Sequence, residues 1–535
     1  MTDLRILAIL LTGVVFGVAC SSDDDSGLAP AGAVAAPTVS QVVVAVATPP
    51  QVTPEPPIED IIRAQCASCH AYTEPSVLPK RAWAGILARM FDIDGREALA
   101  KLRLRDTIPW YTDRAPTEVG VLERAAGSGE VGLDLVQGEV NRSGSDGLAG
   151  SISNIQIHDF GAEGDLQFVA TDMANGLVMM ADLTDLATGF VAVASVPHPA
   201  RTSLIDLDQD GRLDLLVADL GSFGPGKHEK GQAVWLRAAG GGSFEKHVLG
   251  DGFGRVADVE AADFDGDGDV DVVVAEFGIM SHGGVWLLEN RTEDWTEPRF
   301  ERELLDDRGG AIHTAIGDVD GDGAEDIVVL QAEHYEEVSV FLNRGDLDFE
   351  HRVIYQAPHP AWGYTGMQMI DFDADGDFDL LLTNGDGFDA GGILQPFHGV
   401  QILLNEGNGQ FRPEPRLPFR GVYRAEAGDM DGDGDMDIVA CAFHPFLFAE
   451  ERRDMKLDAV IWFEQLDGMD FRRHAIEVLN VDCPTLTLED FDGDGDLDIA
   501  TGVFKIGRDE SGWAPGKLSV EDGPVLITWE NLLND

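Results

Sequence analysis

Positive charge is scarce in this chain. Against 96 acidic residues there are only 37 Lys and Arg, which leaves a formal net charge of −59. Phosphate binding needs clustered basic side chains, so the composition argues against a nucleic-acid partner. Cysteine is scarcer still. Cys20, Cys66, Cys69, Cys441 and Cys483 are the five in 535 residues, too few for a disulfide-built scaffold. Long apolar runs are also wanting. Leu4–Ala19 is broken by Arg5 and Thr12 and falls short of the roughly 20 residues a membrane span requires, and no later segment is apolar enough to span. What the chain does have is 62 glycines and 44% hydrophobic residues, the mark of a globular, turn-rich protein rather than an acidic disordered one. Its length allows one large domain and a smaller one. So acidic a folded chain repels itself unless cations neutralise part of the charge.

The run Leu4–Ala19 reads as the apolar core of a signal peptide. Gly17-Val18-Ala19-Cys20 resembles a bacterial lipoprotein processing site, although Gly17 stands where Leu is usual. The resemblance implies that residues 1–20 are a signal and that Cys20 carries the lipid anchor; ordinary secretion with loss of Cys20 is the alternative. Either reading puts the protein outside the cytoplasm; with the anchor it is a cell-envelope lipoprotein of the periplasm, outer membrane or cell surface, touching membrane only through that anchor. Residues 21–57 are small, acidic and Pro-rich, a tether without a core. Extended at roughly 3 Å per residue, this tether reaches on the order of 100 Å.

Residues 66–70 read Cys66-Ala67-Ser68-Cys69-His70. C-x-x-C-H is the c-type haem attachment pattern: each thiol forms a thioether to the porphyrin and the adjacent histidine ligates the iron. Pro57, Glu59 and Asp60 suit the first turn of a helix leading into it. A reactive disulfide or half of a zinc site are the alternatives, but a second Cys/His pair at zinc spacing is missing nearby. Between His70 and the repeats described below there is no other histidine, and Met90 is the only methionine. Met90 is therefore the candidate sixth ligand, and it is equally a core methionine under a helix; in so small a domain the two roles are compatible. His/Met ligation raises the reduction potential and favours electron transfer over oxygen chemistry. This monohaem domain is expected over residues 58–118.

From about residue 150 the pattern D-x-D-x-D-G-x-x-D recurs, each copy running into an apolar stretch. The first copy has Asp206, Asp208, Asp210, Gly211, Arg212 and Asp214. The others comprise Asp263, Asp265, Asp267, Asp269 and Asp271; Asp318, Asp320, Asp322, Ala324 and Asp326; Asp371, Asp373, Asp375, Asp377 and Asp379; Asp429, Asp431, Asp433, Asp435 and Asp437; and Asp490, Asp492, Asp494, Asp496 and Asp498. Successive first aspartates lie 57, 55, 53, 58 and 61 residues apart, and a degenerate copy starts at Asp159. Periods this long mean repeated supersecondary units. Each unit reads as four strands, the fourth opening with Phe (Phe244, Phe300, Phe349, Phe411, Phe471), and seven such units make a β-propeller. The last unit stops after its third strand, so Val131–Gln137 is predicted to supply the fourth and close the ring. The propeller is expected over residues 131–535.

These loops resemble those of the FG-GAP/VCBS repeat family, which includes integrin-type propellers, over roughly the last 400 residues. With the Cys66–His70 segment, Pro75–Pro79 and Trp83, the chain also looks like bacterial haem–propeller fusions. The fold class that follows is mainly β: a seven-bladed propeller preceded by a small α-helical cytochrome c-like domain.

The loop chemistry itself points to calcium. Positions 1, 3, 5 and 9 offer carboxylates and position 7 (Arg212, Asp269, Ala324, Asp377, Asp435, Asp496) its carbonyl, while glycine at position 6 allows a left-handed turn. An Asp-Gly turn capped by its own side chains is the bland alternative, and six convergent copies argue against it. About six structural Ca²⁺ would engage 24 of the 96 acids and bring −59 to −47.

Alternation on the strand before each loop sets apolar residues in packing positions and polar ones toward the central channel. The channel set includes Arg201, Asp258, Glu260, His313, Gln368, Arg424 and Glu426. It is either a water-filled lining or a ligand site. The long loops on the face away from the aspartate loops are where a redox partner protein or small molecule would dock. Cys441 and Cys483 fall on that face in adjacent blades, where a disulfide is expected in an oxidising compartment. Three functions stay open: envelope electron transfer; a propeller oxidoreductase passing substrate electrons to the haem, with Arg201, His313 and Arg424 holding carboxylates of a quinone-like cofactor; and a glycan- or protein-binding module. Trp235, Trp286, Trp462 and Trp529 sit in third strands and read as packing between blades rather than cofactor docking. No catalytic residue is identified.

Overall fold

The computed structural model describes residues 56–68, 70–91, 101–120, 133–143, 150–160, 166–279, 282–387, 394–444, 447, 454–478, 482–509, 512–518 and 523–534, the side chains of Ile279 and of 506–518 excepted. The signal segment, Cys20, the tether up to residue 55, and Cys69 lie outside the described residues. Among the described residues no helix is long and apolar enough to cross a membrane.

Three α-helices come first among the described residues. Helix α1 (Ile58–Cys66) follows Pro57 with Glu59 and Asp60 in its first turn, where carboxylates meet the positive end of the helix dipole, and it buries Ile62. Helix α2 (Lys80–Met90) follows Pro79, and its Trp83 and Leu87 are buried; α3 (Leu104–Arg114) lies against it. Trp83 is the hub. Its ring lies 4.2 Å from that of Tyr111, and its Nε1 donates to the Pro75 carbonyl at 3.0 Å and to the Leu78 carbonyl at 3.2 Å, so no polar atom of the buried indole is stranded. Ile62, Leu78, Leu87, Leu102 and Trp110 complete this small core, and Ala361 from the repeat region packs against it.

The remainder forms seven four-stranded antiparallel sheets, with a fifth short strand in one of them and a separate hairpin, Ile506–Asp509 with Gly512–Leu518. Blades 1 to 7 begin at the inner strands Ile152–Asp159, Pro199–Ile205, Val256–Ala262, Ala311–Gly317, Tyr364–Ile370, Val422–Gly428 and Leu486–Glu489. Strand order within a blade follows the chain outward, and each fourth strand starts at or one residue before the phenylalanine marker. Second strands are buried on both faces, as Val272, Val273, Val274 and Ala275 illustrate, because each blade is sandwiched between two others. Trp235 of blade 2 packs with Val256, Val259 and Val272 of blade 3, the inter-blade role read for the third-strand tryptophans.

Blade 7 takes its outer strand from the start of the propeller. Strand β1 (Leu135–Val140) pairs antiparallel with the third strand Leu526–Asn531, from Leu135 opposite Asn531 to Val140 opposite Leu526. The closing segment therefore sits about three residues further along than the expected Val131–Gln137, whose first two residues lie outside the described set. The run continues through Gly138, where a Cβ would come within 2.7 Å of Thr528 Oγ1, so a glycine that looks like a stop is the residue close approach requires.

Candidate functional site: aspartate loops, channel and the histidine pair

Each aspartate loop joins the first strand of its blade to the second. The first aspartate folds the loop over itself: its Oδ2 accepts the amide of the position-6 glycine, at 2.9 Å for Gly211, Gly323 and Gly495. Those three glycines have φ from 84° to 97°, a conformation that L side chains rarely adopt. The ninth-position aspartate is the anchor. Asp326 is fully buried; its Oδ1 accepts the Asn343 amide at 2.8 Å and its Oδ2 the Val319 amide at 3.0 Å. Burial pushes Asp271 and Asp437 up to about 7 and Asp498 up to about 6, the response of carboxylates drawn from water with like charges beside them.

The carboxylate oxygens converge. Asp206, Asp208 and Asp210, Asp263, Asp265 and Asp267, Asp318, Asp320 and Asp326, Asp371, Asp373 and Asp379, and Asp429, Asp431 and Asp433 each bring three within 4.8 Å of one another. Buried oxygens without a hydrogen-bond partner on Asp320, Asp431, Asp435, Asp494 and Asp496 match a hard cation's demand for oxygen ligands. Arginines already meet two of the loops: in the first, Arg237 Nη2 lies 2.5 Å from Asp208 Oδ2 and Arg212 pairs with Asp210, and in the third, Arg344 Nη1 lies 3.0 Å from Asp320 Oδ2 and 2.9 Å from Asp322 Oδ2. The degenerate loop after Asp159 lies outside the described residues between 161 and 165.

An asparagine at the end of the third strand adds a link that the motif alone does not reveal. Nδ2 of Asn343, Asn405 and Asn531 donates to the carbonyl of Phe264, Val319 and Met430, the second loop position of the preceding blade, at 2.8, 3.0 and 3.0 Å. Its recurrence as the last residue of the third strand is the signal the sequence offers.

The channel residues resolve into a belt of links from blade to blade. Asn154 Oδ1 accepts the Thr202 amide, Arg201 Nε donates to Asp258 Oδ1, Asp258 Oδ2 accepts the Thr314 amide, and His313 Nε2 meets the Thr365 carbonyl. Gln368 Oε1 then accepts the Ala427 amide, Glu426 Oε2 the Leu488 amide, and Thr485 Oγ1 the Ile155 amide, which closes the circle. Asp258, Glu260, Gln368 and Glu426 fasten neighbouring blades, Glu260 through Ser203 at 2.7 Å, while Arg201, His313 and Arg424 line open space. Burial drives His313 down to about 4, with Arg201 acting the same way. For Asp258, burial favours the neutral acid, but Arg201 and His313 outweigh it and hold the carboxyl below its ordinary value.

That open space is a cavity of about 380 Å³ on the face away from the aspartate loops. Its wall has two tiers. The lower tier holds Ser153, Ala200, Ala257, Ile312, Thr365, Tyr423 and Pro484, one from each blade, all six positions before the first loop aspartate. In blades 1 to 6 the pairing register shifts at this point, a bulge that turns the extra residue inward. Strict alternation assigned this position to packing, which is why the tier was missed. The upper tier holds Met173, Leu220, Phe277, Ala332, Asp386, Phe443 and Phe504. Arg255 also lines the wall, its guanidinium 5.5 Å above the Phe277 ring and its Nε buried without a hydrogen-bond partner.

Cys441 and Cys483 are buried neighbours, as expected, but they stand as two thiols: Cys441 Sγ donates to the Cys483 carbonyl at 3.0 Å. Burial pushes both thiols up, Cys483 to about 12, so neither is a reactive thiolate.

Cys66 ends α1 and His70 follows it after the turn. His70 Nδ1 lies 2.8 Å from the Ala71 carbonyl. A carbonyl only accepts, so Nδ1 carries the proton and Nε2 keeps its lone pair, the arrangement a metal-ligating imidazole uses. Burial lowers the His70 pKa, which keeps the ring neutral. This donor set fits a haem c. Met90 closes α2, half-buried against the Trp83 cluster. The ring facing His70 is His334, from the loop between strands two and three of blade 4, with ring centres 6.2 Å apart.

The aspartate repeats also match known proteins. A family model described as FG-GAP-like repeat matches residues 206–274, 318–382 and 383–440. No curated protein matches the chain. Among solved structures, a virginiamycin B lyase from Staphylococcus aureus is similar at 10% identity and a TM-score of 0.44, over 74% of this chain and 99% of that one. BBS1N in complex with ARL6DN is similar at 10% identity and 0.41, over 75% and 96%, and the Dos1 propeller at 11% and 0.40, over 72% and 78%. The chain is a seven-bladed β-propeller that carries FG-GAP-like repeats.

Proposed function

We propose that this is an envelope-tethered monohaem c protein whose propeller is stabilised by calcium and which acts in electron transfer. The observation that carries the reading is the C-x-x-C-H segment at the end of α1, with His70 Nδ1 committed to the Ala71 carbonyl and Nε2 left for a metal. Cys66 and Cys69 would hold the haem covalently and His70 would ligate it. A haem so held supplies a one-electron couple. The chain's own part is to fix the His70 tautomer, to bury one side of the site against Tyr72, Tyr111 and Trp83, and to present the other side to the propeller. The envelope location rests on Leu4–Ala19 and Cys20. Calcium in the aspartate loops is supported by the converging carboxylates and their unpartnered buried oxygens.

A second reading, a propeller oxidoreductase passing substrate electrons to the haem, is favoured by one observation. Ala332 and Glu333 line the channel cavity, and the next residue, His334, faces His70. Arg201, Arg255 and Arg424 make that cavity suited to a small molecule bearing a carboxylate. Expression with haem-attachment machinery tests both readings. We expect c-type absorption bands and a mass gain of one haem, both lost in Cys66→Ala/Cys69→Ala. Bleaching of the reduced bands by an oxidised partner cytochrome alone favours electron transfer; haem reduction by an added carboxylate substrate favours the oxidoreductase. A protein without covalent haem overturns both.

A further inference from the structure

We infer that His334, supplied by the propeller, is the second axial ligand of the haem held by Cys66, Cys69 and His70. The inference rests on the haem reading above.

Four observations converge on it. Two imidazoles on opposite sides of one metal, each about 2 Å from it, have ring centres about 6 Å apart. His70 and His334 are 6.2 Å apart, with planes inclined by 33°. The two rings do not satisfy each other: His334 Nε2 is buried and has no hydrogen-bond partner, while His70 spends Nδ1 on Ala71. A buried imidazole nitrogen left in this way is costly unless something takes its lone pair or its proton.

The loop is also built to hold its place. Glu333 and Glu336, on either side of His334 and Tyr335, adopt φ of 61° and 47°, a backbone that persists only where the surroundings impose it. Those surroundings are present. The Ala332 amide donates to the Gly310 carbonyl at 2.8 Å, the Glu336 carbonyl accepts the Ala357 amide at 2.9 Å, and Glu336 Oε2 accepts the Tyr364 amide at 2.9 Å. The Arg308 guanidinium covers the Tyr335 ring at 4.9 Å. Met90, by contrast, is accounted for by packing within the helical core.

The consequence is a coordination bond between the helical segment and blade 4, at the rim of the cavity that Ala332 and Glu333 line. Bis-histidine ligation also sets a lower reduction potential than His/Met ligation.

The test uses the full-length holoprotein. Near-infrared magnetic circular dichroism and electron paramagnetic resonance of the oxidised form should show a low-spin bis-imidazole iron without the methionine–iron charge-transfer band. His334→Ala should lose the low-spin signature and regain it on addition of imidazole, His334→Met should shift the potential upward, and Met90→Ala should leave the spectrum unchanged. A methionine–iron band in the wild type, or a His334→Ala spectrum identical to wild type, overturns the ligand assignment while leaving the haem reading intact. Absence of covalent haem overturns both. The wild-type spectrum decides even if His334→Ala folds poorly.

Discussion

Glu260 shows how the channel belt bears on stability. It lies half-buried in the wall, with Asp258 on the same strand and Ser203 donating at 2.7 Å. Burial, reinforced by the Asp258 charge, pushes its pKa up to about 8. A carboxyl raised in the folded state favours folding while protonated. Its contribution is full below the ordinary glutamate pKa and is lost as pH rises through about 8. At about 1.4 kcal/mol per pKa unit the loss amounts to several kcal/mol at most. Glu260→Gln should therefore melt higher than wild type at pH 9 and much the same at pH 4.5. Thermal melts across that range check this, and parallel curves would show that Glu260 is not the group responsible. The loop aspartates were legible because their chemistry is local and repeated. Arg255 and His334 were not, because one precedes the alternating strand and the other meets His70 only through the fold.

At the scale of strands, the ring depends on β1. Val140 is 3% exposed and packs with Ile152, Phe168, Phe190 and Leu526, so one side chain joins blade 7 to blade 1. Val140→Asp would place an unpaired carboxylate in that cluster. The expected cost is about 4 kcal/mol, read as a lower denaturation midpoint with a shallower transition, whereas Val136→Asp on exposed β1 surface should change little. Seven units, their four strands and the need for a strand from the N-terminal side could all be read from period and apolar alternation. The boundary of β1 could not, since Gly138 breaks the pattern for a reason that lies in Thr528 of its partner strand. The bulged tier of the cavity escaped for a related reason: one inserted residue per inner strand reverses which side chains face in.

Across the whole molecule, charge governs stability. With a net −59 and clustered carboxylates at the rims of blades 2 to 6, removal of the calcium proposed above should destabilise the propeller strongly. Chelation is expected to lower Tm by about 10 °C or more, and restoring calcium should reverse it; an unchanged Tm would remove calcium from the account. The Asp206 loop, already met by Arg212 and Arg237, and the Asp318 loop, met by Arg344, should be the weaker sites.

The strand-end asparagines decide how that loss spreads. Asn343 ties blade 4 to the loop of blade 3, Asn405 ties blade 5 to that of blade 4, and Asn531 ties blade 7 to that of blade 6. The relay does not cross into blade 5 from blade 6, where Gln465 turns to Gly468 of its own hairpin, or into blade 2 from blade 3, where Asn290 turns to Val270 of its own blade. These links join blades 3, 4 and 5 into one block and blades 6 and 7 into another, and leave the Asp206 loop of blade 2 outside both. A calorimetric titration with chelator should empty those two blocks in two cooperative steps, with the Asp206 loop releasing separately.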